Sequence, residues 1–173
     1  MRVLLLPVLD TAALLLVVSG ATKVLRGGAA REILHELRLP AAVAYPLGTL
    51  ELSAGALALV AARPAVAACV AGLYATFACV VEGLRRRGGL ASCGCLGAGS
   101  APPSFVHTAL DLAFAAGAAG AAACRTPSLS SSLAAHPFTG GVALLGITAA
   151  TALAAAAIVY LPPLLTAYRR EAP

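Results

Sequence analysis

The residues best equipped for chemistry stand in one short polar stretch, Cys93-Gly94-Cys95-Leu96-Gly97, within a chain that is otherwise nearly all apolar. Two thiols separated by a single glycine can close on each other. Cα atoms two residues apart lie within or near the reach of a disulfide, and Gly94 tolerates the backbone angles that so tight a ring demands. A ring that small is strained, and strained, exposed disulfides are the exchangeable kind. The pair therefore reads as a redox-active dithiol. The alternatives are two incidental loop cysteines, or half of a metal site.

Other groups gather around the pair in sequence. Arg85-Arg86-Arg87 precede it and would favour the reactive thiolate. His107 and Asp111, four residues apart on one helical face, follow it and could manage the proton that thiol exchange releases. Glu82 and Lys23 fall within a few helical turns of the same depth. As metal ligands, the two thiols and His107 fall short of a closed four-ligand zinc site unless Asp111 or His35 completes it, so no metal is assigned. Cys69, Cys79 and Cys124 bring the total to five, an odd number that excludes a fully paired framework within one chain. They read as small residues buried in an alanine-rich bundle; a thiol relay through them is the sharper alternative.

Composition decides which elements must position these groups. Hydrophobic residues make up 60% of the 173 and charged residues 11%, with a mean hydropathy of +0.91. Several apolar runs reach the roughly 20 residues that a bilayer-crossing helix needs. The fold class is all-α: a polytopic membrane bundle of four core helices plus a fifth C-terminal transmembrane helix. The net charge of +5 does not signal nucleic acid, because no basic stripe is interleaved with aromatics and Trp is absent. The partner of the apolar surface is the lipid bilayer.

The first span covers about Val3 to Ala21. Asp10 inside it argues for a retained helix rather than a cleaved signal. Residues 28–39 read as a short amphipathic interfacial helix with Ile33, Leu34 and Leu37 on one face. The second span, about Ala41 to Ala62, carries Glu51 ~15 Å from either end, where an ionisable group is costly and expected to face the bundle interior. The third runs from Pro64 to about Leu84 and, after the very short Arg63-Pro64 turn, is expected beside the second as its antiparallel neighbour. The fourth starts after Pro102-Pro103, with Ser104 as N-cap, and ends near Cys124. Residues 1–125 thus form one four-helix unit, 126–141 a Ser/Pro-rich loop, and 142–173 a fifth span, ending at Pro162-Pro163, with a basic tail.

Five spans divide the basic residues unevenly. Arg2, Arg63 and Arg125 share one face; Lys23, Arg26, Arg31, Arg38, Arg85 to Arg87, Arg169 and Arg170 share the other. The positive-inside rule assigns the second face, and with it the cysteine pair, to the cytoplasmic side of the plasma (inner) membrane.

In order and spacing, several features resemble the MauE family, the methylamine-utilisation branch of the DoxX-like membrane proteins. These are Ser19-Gly20-Ala21-Thr22-Lys23 after span one, Glu51 in span two, Phe77 in span three, and Cys93-Gly94-Cys95-Leu96-Gly97 before span four. Leu96 stands where the family usually has an aromatic, and Asp111 where a polar residue, often an amide, is usual. The resemblance implies a four-helix bundle that works with a thioredoxin-like partner in forming or maintaining disulfides of exported proteins. Cys93 and Cys95 would be its catalytic redox pair, with Lys23 and Glu51 as motif residues. Quinone enters as electron acceptor only by analogy with other membrane disulfide-forming bundles. A role in exported disulfides would set the pair outside, opposite to the charge count. The reading from a different class is a non-catalytic membrane subunit that scaffolds a redox complex.

Overall fold

The computed structural model describes residues 2–26, 28–61, 63–88, 103–124, 126 and 128–171. Its helices are α1 (Arg2–Leu25), α2 (Gly28–Glu36), α3 (Ala44–Val60), α4 (Pro64–Arg86), α5 (Phe105–Cys124), α6 (Leu129–Ala135) and α7 (Pro137–Glu171), with a 3-10 turn at Ala41–Val43. Five of them, α1, α3, α4, α5 and α7, are long and apolar enough to cross a membrane.

Lipid is as apolar as a leucine side chain, so these helices gain little by hiding apolar surface from each other; close backbone approach and polar contacts must hold them. The α1–α3 contact, the most extensive in the bundle, shows how. A Cβ on Gly20 would fall 2.5 Å from the carbonyl oxygen of Gly48 and from the amide nitrogen of Leu52; one on Gly55 would fall 2.5 Å from the Ala13 carbonyl oxygen. Only glycine fits at such a crossing. Gly48 and Gly55 are two turns apart on the buried face of α3, which also carries Ala44, Glu51, Ala54 and Ala58.

The second large contact joins α4 to α5 and is built differently. Buried positions of α4 fall at Ala67, Val70, Tyr74, Ala78, Val81 and Leu84. Those of α5 fall at His107, Thr108, Asp111, Phe114, Ala118 and Ala121. Both follow the three-and-four spacing of one helical stripe. Tyr74 packs on Phe114 with ring centroids 5.2 Å apart, and its hydroxyl donates to the Ala12 carbonyl of α1 at 2.8 Å. Spans two and three do touch, but α3 meets α4 far less than it meets α1. The short turn fixes their antiparallel sense, while the glycines decide which surface of α3 packs.

Helix α1 is central, with Leu9 to Ala13, Leu15, Leu16 and Ser19 all buried. α2 lies against the bundle through Ala30 and Leu34. It ends with the Leu39 amide donating to the Leu34 carbonyl and the Arg38 amide to His35, while Arg38 takes a left-handed φ of 57°. This is a Schellman end with arginine where glycine is usual.

Two regions depart from the sequence reading. The Ser-rich stretch is not simply a loop: Ser128 caps α6, accepting from the Ser131 amide, and Ser130 donates to the Val60 carbonyl at the end of α3. α7 begins at Pro137 and continues through Pro162 and Pro163 instead of stopping there. It also packs on α1 and α5 and buries Ile147 and Ile158.

Candidate functional site

Lys23 is in the last turn of α1, and Glu51 is at the middle of α3. Gly48 brings them together. A Cβ there would lie 2.9 Å from the Cβ of Lys23, so the bare glycine lets the lysine stem run along α3 to the carboxylate one turn on. Lys23 Nζ donates to both carboxylate oxygens of Glu51, at 2.5 and 2.6 Å, and to Ser19 Oγ at 3.0 Å. Ser19 in turn donates to Glu51 Oε2 at 2.9 Å. The Glu51 side chain is wholly buried and that of Lys23 is 9% exposed. A buried carboxylate within a span long and apolar enough to cross a membrane is tolerable only with such a partner set. The Lys23 ammonium also stands 5.3 Å from the ring centre of Phe77 on α4, on the face of its π-system.

His107 and Asp111 on α5 face the same end of the bundle. With Ser19, Tyr74, Phe77 and Phe114 they line a cavity of about 30 Å³. His107 Nδ1 is 2.7 Å from Ser104 Oγ. The serine just before α5 thus meets the imidazole. Asp111 lies within electrostatic range of Lys23. His107 Nε2 and Asp111 Oδ2 are buried and have no hydrogen-bond partner among the described residues. Phe77 is a shared wall: its other side borders an apolar cavity of about 250 Å³ covered by Ile33, Leu34 and Leu37 of the α2 region.

The structure therefore brings Lys23, Glu51, His107 and Asp111 to one end of the bundle and leaves Glu82 apart. Glu82 turns outward and pairs with Arg85 and Arg86, both at 2.7 Å. Cys93 and Cys95 lie outside the described residues. The segment that carries them leaves from the end of α4 and rejoins at Ser104, the residue that contacts His107. The remaining thiols correct an expectation. Cys69 and Cys79 are exposed on α4 and Cys124 is partly exposed, not buried among helices. A thiol is small and weakly polar, so a lipid-facing helix surface suits it as well as an interior does. His35 is exposed on α2, and no three His, Cys, Asp or Glu side chains form a metal cluster among the described residues.

Sequence alone does not pair Ser19 with Glu51, although Ser19-Gly20-Ala21-Thr22-Lys23 carries a signal: residues 19 and 23 are one turn apart on one face. Asp10 is a second surprise. It is completely buried, with both carboxyl oxygens unpartnered among the described residues.

Residues 1–126 match the family model described as methylamine utilisation protein MauE. No curated protein and no solved structure matches the chain.

Proposed function

The chain belongs to the MauE family of membrane proteins, and from that premise we propose that it is a membrane thiol–disulfide redox protein whose Cys93-Gly94-Cys95 pair exchanges disulfides with a thioredoxin-like partner. One observation supports this reading above the others. The segment bearing the pair joins α4 to α5 at the end of the bundle where Lys23, Glu51, Ser19, His107 and Asp111 converge.

In the exchange, a thiolate of one protein attacks a disulfide sulfur of the other, and a mixed disulfide forms as a thiolate leaves. The second thiol then resolves it. Two electrons and two protons pass from the dithiol to the disulfide, so the step balances and runs in either direction. The interior cluster contributes fixed charge at the end of the bundle where α5 begins, and the imidazole that meets Ser104 can take or return a thiol proton.

Location follows the same reading: the plasma membrane, with the basic face that includes Lys23, Arg26 and Arg85 to Arg87 in the cytoplasm. The test is maleimide labelling of the full chain in intact cells, with Cys93→Ser as the variant. A labile disulfide leaves Cys93 and Cys95 unreactive until mild reduction; the impermeant reagent then reports the side. Loss of exchange in Cys93→Ser with unchanged assembly supports the dithiol role. Full activity in that variant would replace it with a scaffold role, and free labelling without reductant that chelators alter would replace it with a metal site.

A further inference from the structure

The cavity between α1, α4 and α5 is the place where buried polar atoms and free volume coincide. His107 and Asp111, 2% and 8% exposed, line it, and Nε2 of the one and Oδ2 of the other have no partner among the described residues. Leaving such atoms unmet inside a protein costs about 1–3 kcal/mol each. The volume, about 30 Å³, exceeds the ~10–15 Å³ that a single water requires. A third polar residue is at hand, because Ser19 also lines the space.

We propose that this cavity binds one internal water, and that the water together with His107 and Asp111 forms a proton-exchange unit beside the Ser19–Lys23–Glu51 cluster. Water suits the position because it both donates and accepts. Ser104 Oγ, 2.7 Å from Nδ1, can meet either imidazole tautomer, which leaves Nε2 as a donor or an acceptor; a water satisfies both. A cation is disfavoured by the nearby ammonium of Lys23, and the volume is too small for an organic ligand. The ionisable groups around the unit are Lys23 from α1, Glu51 from α3, Tyr74 from α4, and His107 and Asp111 themselves from α5. α7 contributes only Ile158.

The role of this unit rests on the thiol-exchange reading, while its water does not. The proton that leaves an attacking thiol passes by Ser104 and His107 to the water and Asp111, and returns to the leaving thiolate. No proton is gained or lost over the cycle.

Difference infrared spectra between acidic and alkaline pH test the unit, using the full chain in lipid nanodiscs. The wild type is expected to show the O–H stretch of an internal water that shifts in heavy-oxygen water, with a pH-dependent carboxyl band. Asp111→Asn, nearly isosteric, keeps the water band and loses that carboxyl band; Asp111→Leu loses both. A wild type without the isotope-sensitive band, or an Asp111→Asn variant whose pH-dependent carboxyl band is unchanged, overturns the proposal. In parallel, thiol exchange by Asp111→Asn is expected to fall about a hundredfold. An unchanged rate overturns the proton role even if the water is seen. If the wild-type pair itself does not exchange, the thiol reading has failed, and the infrared result decides the water and the titration of Asp111 on its own.

Discussion

The two large helix contacts of this bundle solve the same problem by opposite means. α1 and α3 meet backbone to backbone over Gly20, Gly48 and Gly55, and the closeness of that crossing delivers Lys23 to Glu51. α4 and α5 meet through side chains, with Tyr74 and Phe114 between them, and beside this packing lies a void lined by His107 and Asp111, each with a polar atom unpartnered among the described residues. Where backbones touch, little can move, and a buried charge pair keeps its geometry. Where side chains fill the gap, rotamers can adjust and water can enter. The difference teaches that the charge is held on the rigid contact and the ionisable pair on the adaptable one, next to the segment that bears the thiols.

Removing one partner of the ion pair should break the comparison most severely. Lys23→Met leaves a buried carboxylate without its counter-ion and is expected to destabilise the bundle by about 3–5 kcal/mol, read as unfolding in mixed micelles. The double variant Lys23→Met/Glu51→Leu should recover most of that loss. If the single variant is as stable as the wild type, the charge is not being held by the α1–α3 contact.

Glycine substitutions come next. Gly55→Val inserts a side chain into the Ala13 carbonyl and is expected to cost about 1–3 kcal/mol or more. Gly72→Val on α4, where a Cβ meets nothing within 4 Å, is expected to cost far less. Equal losses in thermal unfolding would erase the distinction between the two contacts.

What was legible in the sequence follows from these forces. The spans could be read because a bilayer sets a length that apolar runs either reach or miss. The burial of Glu51 could be read because a midplane charge has few places to go. Its partner could not. Lys23 looks like a residue that stops a helix at the membrane surface, and nothing in linear order says that α1 will lie on α3. Gly48 and Gly55, two turns apart, were the signal for that approach. The outward thiols were illegible for a related reason: in lipid, an apolar helix face is as content outside as inside, so hydrophobicity does not mark the buried side of Cys69 or Cys79.

The smallest expected effect sharpens the side-chain contact. Tyr74→Phe removes one hydrogen bond from α4 to the Ala12 carbonyl and is expected to cost about 0.6 kcal/mol, the usual scale for such bonds within membranes. A loss as large as that of Lys23→Met would mean that the α4–α5 side is not the adaptable half.

α7 gives the bundle a mechanical property that its four matched helices would lack. It rests on α1 and on α5, one member of each large contact, and buries Ile147 and Ile158. Any sliding of the α1–α3 layer past the α4–α5 layer must shear α7 along one of its two footings. The fifth span therefore acts as a cross-brace. Motion at the thiol-bearing end is steered toward local adjustment of side chains and away from rocking of whole helix pairs.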